Sequence, residues 1–427
     1  MRSLLRALYA VAAKLASAAS LVLPPGNSKA VIAVRARRGI RKRYATWARA
    51  HRDESRPLLW MHAPSVGEGL QARPVLTLVR ARRPDVQLAY TFFSPSAEEF
   101  SRTLDVDFRD YLPFDTTSDM GAALDALRPR AVVFSKLDVW PELVRQAKKR
   151  GIRVGLISAT LGAVSGRRSR AGNLLLQDAY AMLDSVGTVD AEDGDRLVEL
   201  GVHRDVVELT GDTRFDQVWQ RAESVDRESV LQKRLASDRP TIVAGSTWPS
   251  DEAPLLDAFR GARRQVPDLR IVIAPHELTP AHLEAVERWA STSQLALARV
   301  DGATAQADVV LVDRFGVLGE LYALADIAFV GGGFHDAGLH SVLEPAAFGT
   351  PVLFGPKHHK SRDALILLAA GAAVGVNSAS DLEQVLARWL RDPVARREAG
   401  AEARAAVDRG RGAAERSLRI VERLLGD

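Results

Sequence analysis

The sequence predicts an α/β protein built from two Rossmann-like domains with parallel sheets, behind a basic, apolar N-terminal segment. Two observations carry the prediction. Beyond residue 55, short apolar runs of strand length alternate with segments of helical period, the signature of parallel strands crossed by helices. These runs fall into two series, separated by a polar, strand-free stretch over 217–240. The expected organisation is a basic amphipathic segment at 1–50, a first domain at 51–216, a linker at 217–240, and a second domain with a helical tail at 241–427. A chain of 427 residues with 47% hydrophobic content can bury cores of that size.

The N-terminal segment comes first. Apolar residues run from Leu4 to Leu23, interrupted by Arg6 and Lys14 and closed by Pro24 and Pro25. A spanning helix needs about 20 apolar residues with few or no charges. Ala16-Ser17-Ala18 imitates a signal-peptidase site, yet Lys14 sits badly inside such a leader. A helix lying on an anionic membrane surface fits better, with the 35–43 basic cluster at headgroup level. A spanning helix and a signal peptide stay open as alternatives. The first 50 residues carry eleven Lys and Arg and no acid; removing those eleven from the 58 bases leaves 47 against 53 acids. The basic charge thus belongs to one end, and nucleic acid is not an expected partner. No cysteine is present, so disulfides and thiolate metal sites are excluded. No histidine spacing reads as a zinc site, and neither a metal nor a cofactor is expected.

In the first domain the expected strands are 58–62, 86–92, 131–135, 154–158, 185–189 and 206–209. Ligands of open α/β sheets bind beyond the carboxyl ends of the strands, so the following loops are the places to look. Glu68, between Gly67 and Gly69, can act as general base or cap its own helix. Lys136 and Asp138, two apart at a strand end, can face a ligand or form an ion pair with each other. Arg214 can offset charge on a leaving phosphate or pair with Asp216.

The second domain's expected strands are 241–245, 270–274, 309–312, 326–330, 351–354 and 373–376. Ser246 and Thr247 follow the first of them; Ser250, Asp251 and Glu252 read as an ordinary helix start. His276 and Glu277 follow the second, and Phe315, Gly316 and Val317 the third. The fourth empties into Gly331, Gly332 and Gly333, with a helix restarting near Ser341. That segment, with His340, Ser341, Val342, Leu343 and Glu344, suits a ribose bearing a phosphate. The glycines let backbone approach a ligand, and Glu344 can accept from a vicinal diol.

Taken in order, Ser-Val-Gly-Glu68, Asp138-Val-Trp-Pro, Thr-Gly-Asp-Thr-Arg-Phe-Asp216, Gly-Ser-Thr-Trp-Pro, Ala-Pro-His-Glu277, the Val-Gly-Gly-Gly segment, His340-Ser-Val-Leu-Glu344-Pro-Ala-Ala and Pro351-Val-Leu-Phe-Gly-Pro resemble the bacterial 3-deoxy-D-manno-octulosonic acid (Kdo) transferases of lipopolysaccharide synthesis. The resemblance implies a GT-B fold whose two domains face a cleft. It also implies the donor CMP-Kdo held mainly by the second domain, a lipid A precursor as acceptor, inversion, and no metal. It places Glu68 as the catalytic base and puts Arg214 where the family commonly has a Lys. The basic, apolar N-terminus resembles the family's membrane-associated one, and the positive-inside tendency then puts the body on the cytoplasmic face of the bacterial inner membrane. Arg167, Arg168 and Arg170, with the 35–43 cluster, are candidate partners for acceptor phosphates. Lys136 falls where many members have Glu, Ser341 replaces Asn, Val317 replaces Glu, and Pro-His-Glu replaces Pro-Arg-His, as in a variant branch. A GT-B enzyme using a UDP-sugar, a nucleotide-sugar epimerase of the same architecture and a catalytically silent, membrane-docked paralogue are the alternatives.

Overall fold

The structure, a computed structural model, describes residues 2–162 and 165–426. It divides into two compact units, Met1–Gln217 with Arg411–Asp427, and Val218–Gly410. Each is built on a seven-stranded, all-parallel sheet.

The first sheet contains β1 (Leu58–His62), β2 (Gln87–Phe92), β3 (Phe108–Tyr111), β4 (Ala131–Ser135), β5 (Arg153–Ala159), β6 (Ser185–Thr188) and β7 (Val207–Leu209), in the order β3-β2-β1-β4-β5-β6-β7. The second contains β8 (Thr241–Thr247), β9 (Arg270–Pro275), β10 (Leu297–Arg299), β11 (Val309–Leu311), β12 (Ile327–Val330), β13 (Val352–Phe354) and β14 (Ala373–Gly375), in the order β10-β11-β9-β8-β12-β13-β14. Central strands such as β1 and β4 are buried at every residue, as strands with both faces covered by helices must be. That is why they read as continuous apolar runs. The sequence pattern misses β3 and β10, which are edge strands with a charged residue exposed to solvent.

Two boundaries need correction. The C-terminal helix Ala413–Leu425 belongs to the first unit, not to a tail of the second. Its apolar face packs on the first sheet so closely that a Cβ at Gly155 would collide with Leu424. Asp216 caps it, accepting from the backbone N–H groups of Gly412 and Ala414 at 2.7 and 2.9 Å; it is not the partner of Arg214. The stretch expected as a linker holds the end of the helix Thr213–Glu223 and the helix Val230–Leu235.

The N-terminal helix, Arg2–Val22, is fixed to the first unit by polar contacts. Tyr9 Oη donates to Asp115 Oδ2 at 2.6 Å and Ser17 Oγ to Asp119 Oδ2 at 3.2 Å. Leu8, Val11, Leu15 and Val22, on one face, stay 57, 54, 65 and 81% exposed. Among the described residues no helix is long and apolar enough to cross a membrane. The 35–43 cluster is less available than expected, because its charges are used internally. Arg37 is buried, donating to the carbonyls of Leu112 and Ala33 and lying over the Phe93 ring. Arg43 pairs with Asp110 and Arg41 with Asp119.

Candidate functional site

In each unit most candidate residues follow strands at the point where the strand order reverses, between β1 and β4 and between β8 and β12, whereas Arg214 follows the edge strand β7 and Phe315, Gly316 and Val317 follow β11. Connections leave such a point in opposite directions and open a crevice at the strands' carboxyl ends.

In the first unit, β1 leads into the helix Val66–Arg82, with Glu68 in its first turn. The Glu68 carboxylate accepts from Ser65 Oγ and from Lys136 Nζ at 3.2 Å, while Ser135 Oγ donates to its backbone carbonyl. Its main partners are therefore side chains, with its own backbone N–H a lesser one. Burial pushes its pKa up, but the Ser65 hydroxyl and the Lys136 ammonium outweigh that and hold it below the usual carboxylate range. It is ionised at neutral pH and can take a proton. The flanking glycines differ from each other. The space beside Gly69 is filled by Phe100 and Tyr90, so only Gly67, exposed, leaves room for a ligand.

Lys136 has φ +69°, which turns the chain out of β4 and toward Glu68. It does not pair with Asp138. Asp138 faces His62, Trp140 and Arg167 at 3.4, 2.9 and 3.5 Å. Burial raises its pKa, and contacts to His62, Trp140 and Arg167 bring it below the ordinary value. His62 is buried and also touches Thr91 Oγ1. Arg214 makes a two-pronged pair with the buried Asp212, at 2.9 and 2.6 Å. The side chains of Arg168 and Arg170 lie outside the described residues.

In the second unit, Asp251 is more than a helix-start residue. It is fully buried and accepts from the backbone N–H groups of Trp248, Gly332 and Phe334 at 3.0, 2.7 and 2.8 Å. It thereby clasps the glycine loop to the loop after β8. A Cβ on Gly331 would collide with the Ser246 carbonyl, and one on Gly333 with Gly355. These glycines are required by neighbouring backbone, not only by a ligand. Thr247 is withdrawn as a ligand group: it is buried and donates to Glu252 Oε1 at 2.7 Å. Ser246 stays partly exposed, with φ +54°.

The helix expected near Ser341 spans only Leu343–Ala347, so Ser341 lies in the exposed loop before it. The side chains of Val317, Val342 and Leu343 are buried apolar groups and offer a ligand nothing but backbone. Glu277 and Phe315 are exposed, and Gly316 has φ +92°. Glu344 has a partner the sequence reading missed. Arg221 lies 3.9 Å from it and donates to the Gly316 carbonyl at 3.5 Å. Burial raises the Glu344 pKa and Arg221 opposes the rise. Two further residues were missed as site members, Trp248 and His335, whose rings stack with centroids 4.1 Å apart. Their signals were present, an aromatic after a strand and an imidazole in the glycine loop. Among the described residues no group of three His, Asp or Glu is placed to hold a metal ion.

Paired parallel-sheet units with ligand-ready loops at both switch points define a GT-B-like fold. Solved structures agree. A UDP-GlcNAc 2-epimerase from Neisseria meningitidis covers 87% of this chain and 100% of its own at a TM-score of 0.63 and 15% identity. A glycosyltransferase from Rickettsia africae covers 87% and 99% at 0.58 and 13%. At these identities they speak for the fold alone. Sequence relatives go further. The family model of the 3-deoxy-D-manno-octulosonic-acid transferases matches residues 38–217. The Chlamydophila psittaci 3-deoxy-D-manno-octulosonic acid transferase is 30% identical over 74% of this chain and 73% of its own. The Bordetella pertussis enzyme of the same name is 29% identical over 86% and 87%. This chain belongs to the Kdo transferase family and is a glycosyltransferase.

Proposed function

We propose that the protein transfers Kdo from CMP-Kdo to a lipid A precursor, with inversion and without a metal ion or other cofactor. We place it on the cytoplasmic face of the bacterial inner membrane, in lipopolysaccharide core synthesis. The observation that carries this reading is Glu68: an ionised carboxylate at the first switch point, beside an open glycine, held chiefly by the side chains of Ser65 and Lys136. In the reaction it takes the proton of the acceptor hydroxyl as that oxygen bonds to the anomeric carbon. The bond from that carbon to the phosphate oxygen breaks through an oxocarbenium-like transition state, and CMP leaves as a monoester. Arg214, preset by Asp212, is suited to steady the charge that develops on the phosphate. The exposed apolar row Leu8, Val11, Leu15 and Val22 supports seating on lipid.

The test is transfer from freshly generated CMP-Kdo to tetraacylated lipid A precursor by wild type and Glu68→Ala. Product with wild type and a loss of about a hundredfold or more in the variant is expected. Equal rates would move the base elsewhere, with Asp138 next in line. No transfer by either folded protein would overturn the reading and turn attention to UDP-sugars.

A further inference from the structure

The helix that carries Glu68 is weakened from within and gripped from outside. Pro74 lies inside Val66–Arg82 and has no N–H to offer the carbonyl of Leu70, one turn back. Hydroxyls from two other elements reach backbone carbonyls of that first part of the helix. Ser135 Oγ donates to the Glu68 carbonyl at 3.1 Å, and Thr213 Oγ1 donates to the Gln71 carbonyl at 2.7 Å. Thr213 is fully buried and directly precedes Arg214. Its hydroxyl therefore joins the helix of the base to the loop that presents the guanidinium, both within the first unit.

Ser158 completes the link. Its Oγ lies 2.9 Å from Thr213 Oγ1, and both residues are buried. Thr213 has one hydroxyl proton, which goes to Gln71, so Ser158 is the donor and the bonds run one way, from Ser158 to Thr213 to Gln71. Ser158 is held in the left-handed region at φ +51°, where the pairing of β5 with β6 slips between Leu156 and Ala159. A serine keeps that conformation only where its surroundings enforce it. The loop has other anchors: Arg416 Nε donates to the Thr210 carbonyl at 2.7 Å, and Asp216 caps the C-terminal helix. Those bonds run to the C-terminal helix, whereas the hydroxyl chain runs to the helix of the base.

We propose that Thr213 is a positioning residue for the transfer reaction, its hydroxyl, steered by Ser158, setting the Arg214 guanidinium in register with the turn that carries Glu68. The inference rests on the roles given to Glu68 and Arg214 above. Proton removal from the acceptor and charge development on the leaving phosphate belong to one displacement, so the two groups must act at a fixed separation. A misplacement of about 1 Å is enough to cost up to about a hundredfold in rate. Replacing the hydroxyl by a methyl group keeps the volume and loses the setting.

Transfer kinetics of Thr213→Val, Thr213→Ser, Arg214→Ala and the double variant Thr213→Val/Arg214→Ala test it, with thermal unfolding of each alongside. Thr213→Val should lower kcat by about tenfold and leave both KM values within about twofold of wild type. Thr213→Ser keeps the hydroxyl and should restore kcat to within about twofold. In the Arg214→Ala background the Val substitution should cost less than about twofold, because the group it positions is gone. Ser158→Ala and Ser158→Gly extend the test to the second hydroxyl. Both remove the donor and should lower kcat alike, by about threefold, although Gly relieves the positive φ and should melt above Ala. An unchanged kcat in Thr213→Val, no restoration by Thr213→Ser, an equal loss with and without Arg214, or Ser158 variants whose rates follow their melting temperatures would each overturn the proposal. No product from wild type would overturn the functional reading and this inference with it.

Discussion

Glu68 and Asp251 occupy the same place in the two units, in the first turn of the helix that follows the first strand, yet they meet opposite fates. Asp251 is fully buried, and three backbone N–H groups consume it. Glu68 keeps 18% of its side chain exposed and is held by a hydroxyl and an ammonium, both on side chains that can move away. A carboxylate spent on backbone is architecture, because its partners stay fixed while the fold persists. One held by movable side chains can exchange them for a substrate. Position in the fold therefore does not assign a role; the nature of the partners does.

The sharpest way to break this contrast is Asp251→Ala. It strands three N–H groups, and each one left buried and unpaired costs about 1–3 kcal/mol. A loss on the order of 3–5 kcal/mol is expected in urea unfolding, with CMP binding lost as the glycine loop comes free. Glu68→Ala should leave the same unfolding curve within about 1 kcal/mol. If the two variants lose equal stability, the distinction between architecture and chemistry at these positions is wrong.

How much of this was legible in the sequence follows the same line. Strands buried on both faces announce themselves as apolar runs, whereas β3 and β10, with one flank open, mix charge into short segments and escape. The site's positions were legible because glycines and polar residues follow strands. Their partners were not: Lys136 reaches Glu68 across 68 residues and Gly332 reaches Asp251 across 81, and no local pattern encodes such a contact. Val317, Val342 and Leu343 were drawn in by their place in a motif, although an apolar side chain in an α/β loop more often turns inward. Arg221 sat in a stretch read as linker, where a helix was needed to aim it at Glu344.

A second contrast lies within the N-terminal helix, one face latched by Tyr9 and Ser17 and the other apolar and open. Replacing Leu8 and Leu15 with Glu puts two charges on the open face and leaves the latch intact. Cosedimentation with anionic vesicles should fall by roughly tenfold or more, since each Leu buried in lipid contributes about 1.5–3 kcal/mol. Unfolding should be unchanged. Equal partitioning of variant and wild type would show that this face does not seat on lipid.

The smallest effect sharpens the first comparison most. Lys136→Met removes the ammonium beside Glu68 and leaves Ser65 in place. The depressed pKa of Glu68 contributes stability above the ordinary carboxylate range, and that contribution is lost as pH falls through the lowered value. Without Lys136 the value moves up, so the acid limb of kcat/KM for Kdo transfer should shift to higher pH. Stability near neutrality should change by less than about 1 kcal/mol, because Lys136 is 44% exposed and solvent screens the pair. An unmoved acid limb would mean that Lys136 does not set the charge of Glu68, and Ser65→Ala would then be the variant to shift it. A shifted limb with unchanged stability would assign the pair to chemistry, the property Asp251 lacks.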